Sequence, residues 1–151
     1  IASNVTPSNG PVNVRIEGGT FNCGIVSGGY LACGVFVAQC GNWDIVGGTF
    51  NMMSDKATAF VVRSGNVNID LDNVTVNMNA SASDSIGKVG DSTFVKSGHV
   101  VAAYYTSGAY GFTEDSTSLI INGESKISSE NVLNYVGTNS AVQVNVCYYD
   151  N

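Results

Sequence analysis

Three carboxylates carry the most legible chemistry in this chain: Glu17, Asp70 and Asp72. Asp70 and Asp72 are two residues apart, so on a strand they share one face. If the runs that hold them are stacked strands, Glu17 and Asp72 face outward about 10 Å apart, across the side-chain-free Gly48. An acid and a base at such a separation, with room for a water, are what an inverting glycosidase uses. An outward acidic face is also an ordinary solvated surface. Only Arg15 falls in the same columns, which leaves little cation to stabilise charge in a lyase reaction. Asp70, Asp72 and Asn73 could offer oxygens to calcium, but no calcium-loop spacing surrounds them, and no metal is expected.

Other catalytic groups are scarce. His99 is the only histidine, it reads as a turn residue, and no G-x-S-x-G sequence exists. There is no Walker loop and no dinucleotide-binding pattern, so no cofactor is expected. Tyrosines are better candidates for binding. Tyr105, Tyr110 and Tyr149 lie in or beside loops or at the chain end, and an exposed Tyr offers sugar or protein a flat apolar face with a polar tip. Their neighbours Tyr104 and Tyr148 alternate with them and would cap the core. Four cysteines, Cys23, Cys33, Cys40 and Cys147, are disulfide candidates with three possible pairings. Zinc fits poorly, because Cys33 and Cys40 are too widely spaced for a zinc knuckle.

Composition narrows the class. The chain has 151 residues, 44% hydrophobic and 12% charged, which suits one domain with a sizeable core. Eighteen Gly and two Pro suit a turn-rich β protein. A net charge of −6 with six Lys plus Arg disfavours nucleic acid, because phosphate contacts need clustered positive charge. No apolar run is long enough for a membrane span. An even cysteine count, few Lys and many Asn, Ser, Thr and Gly point to an extracellular protein. A start at Ile1 fits a processed or excised chain.

The elements that would position these groups recur. Five short alternating runs begin at Val12, Trp43, Val67, Val100 and Val142, in steps of 31, 24, 33 and 42 residues. Each run follows a small polar turn. A second run precedes most of the turns, as in Ala59-Phe60-Val61-Val62-Arg63. A third follows, as in Gly18-Gly19-Thr20-Phe21, Gly47-Gly48-Thr49-Phe50 and Asn73-Val74-Thr75-Val76. Three short strands per repeat are the plan of a three-sided coil, in which each repeat completes its neighbour's core. The alignment predicts one inward stack of Val14, Ile45, Ile69, Ala102 and Val144. It places Asp44 beside Asn13 on the outside. Gly41, Gly65 and Gly98 would supply positive φ at the turns, and Asn42, Asn66 and His99 after them could stack as a ladder. Residues 77–91 and 106–118, rich in Ser, Asp, Gly and Thr, read as projecting loops.

The phrases Val12-Asn13-Val14-Arg15-Ile16-Glu17-Gly18-Gly19-Thr20-Phe21 and Gly41-Asn42-Trp43-Asp44-Ile45-Val46-Gly47-Gly48-Thr49-Phe50 resemble right-handed parallel β-helix proteins of the pectin-lyase-like type. That group includes polysaccharide lyases and hydrolases, surface adhesins and phage tailspike modules. The resemblance spans about residues 10–147 and implies a fold; no catalytic signature transfers residue by residue. The competing architecture is an antiparallel, pilin-like β-sandwich, suggested by the hairpin-type Asn122-Gly123 step.

The resulting expectation is an all-β chain, a single β-solenoid domain over 1–151 with about five coils. Its role would be structural or adhesive, as a module of an extracellular surface fibre or filament. Self-association is expected, because a β-helix has open ends. A carbohydrate or cell-surface ligand is a possible partner. The alternative is a carbohydrate-active, tailspike-like glycoside hydrolase using Glu17, Asp70 and Asp72.

Overall fold

The computed structural model describes residues 1–3, 9–24, 29–63, 65–81, 83, 86–89, 93–105, 116–122, 125–127, 131–137 and 143–148. Strands β1 (Ala2–Ser3), β2 (Val12–Glu17) and β3 (Thr20–Cys23) each begin a separate sheet. Strands β4 (Ala32–Val37), β5 (Gly41–Val46) and β6 (Thr49–Met52) join those sheets in the same order. So do β7 (Ala57–Val62), β8 (Asn66–Asp72) and β9 (Thr75–Met78). A two-stranded antiparallel hairpin follows, β10 (Ile86–Val89) with β11 (Thr93–Lys96). Then β12 (His99–Tyr105), β13 (Ser116–Asn122) and β14 (Lys126–Ile127) extend the three sheets. Finally β15 (Asn131–Gly137) and β16 (Gln143–Tyr148) extend the first two.

Within the three sheets every strand pairing is parallel. The chain is therefore all-β with stacked, mostly parallel sheets, an arrangement compatible with a β-helix or solenoid. The antiparallel sandwich does not describe it. Gly123 lies outside the described residues, and β13, which ends at Asn122, belongs to a different sheet from β14.

Each sheet follows from its sequence. The second sheet alternates, with Trp43, Ile45, Ile69 and Leu71 buried and Asn42 and Asn68 exposed. The first sheet does not alternate: all six residues of β7 are buried. The physical reason is the hairpin. Val89 of β10 and Val95 of β11 pack with Leu31, Val61 and Ala102 in a second apolar cluster, distinct from the main core. A sheet covered on both faces reads as a continuous apolar run. In the main core, Phe21 stacks on Phe50 at 4.6 Å, and Phe50 meets Phe60 edge-on at 5.1 Å.

The register corrects the predicted stack. Gly41, not Trp43, lies opposite Val12, and Val14 continues through Trp43, Ile69, Leu119 and Val146. A two-residue slip leaves every side chain on its own face, so alternation alone cannot detect it. The run at Val100 belongs to the first sheet, where β12 pairs with β7. The second-sheet strand at that level is β13, which begins inside a segment expected to be loop. The segment 77–91 likewise contains the end of β9 and all of β10.

The corners between the second and third sheets stack Gly18, Gly47 and Asn73, with φ of 75, 74 and 54°. Gly65 and Gly98 take positive φ as expected. Gly41 does not; it opens β5, and a Cβ there would lie 2.7 Å from the Val12 carbonyl oxygen.

Candidate functional site

The outer face of the second sheet carries the carboxylates. Its rows are Asn13, Asn42, Asn68 and Ser118; then Arg15, Asp44, Asp70 and Ile120; then Glu17, Val46, Asp72 and Asn122. Glu17 and Asp72 thus remain two strands apart, about 10 Å by strand spacing, but Val46 stands between them. Gly48 instead turns the chain into the third sheet. Asp44 lies beside Arg15 rather than Asn13. The Arg15 guanidinium bonds both the Glu17 carboxylate, at 2.7 Å, and the Asp44 carboxylate on the neighbouring strand. These contacts raise the Arg15 pKa, first through the hydrogen bond to Glu17 and then through the charge on Asp44. At Asp72, Oδ1 accepts a hydrogen bond from the Asn73 side-chain amide at 3.0 Å. Among the described residues no three His, Cys, Asp or Glu side chains converge as metal ligands.

The other expected site residues are dispersed. Tyr105 ends β12, opposite Gly137; Tyr110 and Tyr149 lie outside the described residues. His99 is not a turn residue: it opens β12 and is buried. Cys23, Cys33 and Cys40 are free thiols, contrary to the disulfide expectation. For Cys23 and Cys33 the cause is that their side chains point to different clusters. Cys23 packs against the main core, whereas Cys33 packs against the second cluster on the other side of the first sheet. Burial pushes the Cys33 thiol up to about 12 and raises those of Cys23 and Cys40 as well. The Cys147 side chain lies outside the described residues.

Two asparagine ladders are the most ordered polar features. On the second sheet, Asn42 donates its side-chain amide to Asn13 at 2.7 Å and Asn68 donates to Asn42 at 2.8 Å. The predicted turn ladder of Asn42, Asn66 and His99 is not what forms: Asn42 bonds Asn13 and Asn68 on the strand face, and His99 lies in a different sheet. A second ladder on the third sheet was not anticipated: Asn51 donates to Asn22 and Asn77 to Asn51, both at 2.8 Å. Its signal was in the sequence, as Thr20-Phe21-Asn22, Thr49-Phe50-Asn51 and Thr75-Val76-Asn77. Thr20, Thr49 and Thr75 form a parallel row two residues before it. An open groove of about 620 Å³ runs along this ladder, with Met53, Met78 and Asn79 completing its wall.

Among the described residues no helix is long and apolar enough to cross a membrane. Comparison of the chain with family models, curated proteins and solved structures gave no match.

Proposed function

We propose that this chain is an extracellular structural or adhesive β-solenoid, a module or subunit of a surface fibre or filament. In this reading the three sheets are the sides of a right-handed parallel β-helix of about five coils, of the pectin-lyase-like type. The hand follows from the strong preference of parallel crossover connections for right-handedness.

One observation carries the reading. Among the described residues, β1, β2 and β3 are the outermost strands of the three sheets at one end. The core residues there, Val14, Ile16 and Phe21, are only partly buried, whereas Trp43, Ile45 and Phe50 one strand further in are fully covered. Among the described residues, that end offers three parallel strand edges and an apolar surface, which favours pairing with another β layer. The ladders give the stack a direction, since the amide donors of both point toward this end. A directional stack favours head-to-tail contacts, which build filaments when they do not close into a ring. Extracellular placement rests on composition alone, because Cys23, Cys33 and Cys40 give it no disulfide support.

Light scattering across a concentration series tests this. The purified chain should gain mass with concentration. A double variant with Asn13→Lys and Asn22→Lys, exposed positions on the end strands, should suppress the gain, because edge lysines block strand pairing. A wild-type chain that stays monomeric at high concentration contradicts the reading. The hydrolase alternative has less support, since Arg15 already engages Glu17. Reducing-sugar release that is lost in Asp72→Asn would restore it.

A further inference from the structure

The geometry points to a binding site on the outer face of the third sheet that takes a neutral, hydroxyl-rich polymer, a short stretch of uncharged glycan chain. The inference deepens the adhesive part of the proposed function and does not depend on self-association.

The first support is charge. The chain carries −6 overall, yet every side chain lining this groove is an uncharged Asn or Met. Four carboxylates, Glu17, Asp44, Asp70 and Asp72, share the outer face of a different sheet, the second, and the nearest in sequence to the groove, Asp55, does not line it. A charged polymer of either sign finds no counter-charge in the groove. A neutral one loses nothing by entering it.

The second support is hydrogen-bond capacity. A side-chain amide has two donors and two acceptor sites. Asn51 uses one N–H on Asn22 and accepts one from Asn77. One N–H and one oxygen lone pair of Asn51 remain to face the groove. Locked in a ladder, the three amides repeat at the strand spacing of about 4.8 Å and have little rotamer freedom left to lose on binding. A partner must offer donor and acceptor at each step, which a hydroxyl does with a single atom. Asn79, just past the end of β9, adds a further amide at the groove and donates to the Met53 carbonyl oxygen at 3.2 Å.

The third support is the apolar wall. Met53 is 57% exposed, one of few large apolar side chains that are so among the described residues. A thioether is soft and adaptable, and it can lie against the C–H face of a sugar ring while the hydroxyls meet the amides. The groove volume falls in the range of ordinary small-ligand sites.

The test uses the ¹⁵N-labelled full chain and two neutral probes, cellohexaose and laminarihexaose, with hexagalacturonate as the charged control. At least one neutral hexasaccharide should shift the side-chain amide signals of Asn51 and Asn77 saturably, and hexagalacturonate should not. Asn77→Asp should weaken that binding about tenfold, because it removes a neutral donor and adds charge. Met53→Ala should weaken it severalfold; its exposure makes it safe for folding and decisive if Asn77→Asp misfolds. Three results overturn the inference: no saturable shift with either neutral probe at millimolar concentration, an equal response to hexagalacturonate, or an unaltered Met53→Ala. A chain that binds but remains monomeric supports this site while contradicting assembly.

Discussion

Asn42 hands its side-chain amide to Asn13 on the adjacent strand, at 2.7 Å. That contact settles a question the core leaves open. A slip of two residues between β2 and β5 would keep Val14, Ile16, Trp43 and Ile45 facing inward. It would, however, set Asn42 opposite Pro11 or Arg15 and break the ladder. The amides therefore choose among registers that burial treats as equivalent.

Asn42→Ala removes two ladder bonds at an exposed site. The expected loss is about 1 kcal/mol, with a fall in Tm of about 2–4 °C for a chain of this size. The double variant of Asn13→Ala with Asn42→Ala should lose less than the sum of the single losses, by about 0.5 kcal/mol. Thermal unfolding of the four proteins measures this. Strict additivity would show that the two amides do not interact.

Ile69 lies between Trp43 and Leu119 in the inward stack and is 1% exposed. Ile69→Ala should cost about 2–5 kcal/mol, through lost transfer energy and the cavity left behind. Ile69→Asp should not fold, because it places an unpaired charge in the core. Circular dichroism and solubility distinguish the two. A soluble Ile69→Asp protein that unfolds cooperatively would contradict the inward stack.

Much of this architecture was legible in the sequence, and the failures share physical causes. The third-sheet alignment of Thr20, Thr49 and Thr75 came out in register because a stacked Gly or Asn corner precedes each strand by two residues. The second-sheet alignment slipped by two because alternation has a period of two. The same slip hid the pairing of Arg15 with Asp44. At Val100 the error was larger. Val62 to Val67 and Val95 to Val100 read almost alike, yet the first phrase passes from the first sheet to the second and the other from the hairpin into the first. A local phrase specifies a turn between two strands, and the strands' neighbours are specified by distant contacts. The hairpin was missed because its polar ends resemble a loop, and only Val89 and Val95 reveal what it covers. The carboxylates were correctly placed outside. The Thr and Asn rows of the third sheet carry no charge, so no ionisable group marks them in the sequence.

The last prediction concerns Cys33. Its Sγ donates to the Val35 carbonyl oxygen at 3.0 Å, and burial holds its pKa at about 12. The thiolate is the form that reacts, so the raised pKa keeps Cys33 in the unreactive thiol form at pH 8 in the folded chain. Iodoacetamide should label Cys33 far more slowly in the native protein than in denaturant. Denatured but unreduced protein should yield alkylated Cys23, Cys33 and Cys40, as three free thiols require. The same shift ties stability to alkaline pH. Above pH 9 the unfolded chain gives up the Cys33 proton while the folded chain keeps it, so the unfolded state binds fewer protons and stability falls as pH rises. The fall should begin near the ordinary thiol value of about 9, continue to about 12 and be absent below that window. Tm measured from pH 7 to 11 reads it directly. Cys33→Ala should flatten the alkaline slope relative to the parent, and an unchanged slope would mean that Cys33 is not the group responsible.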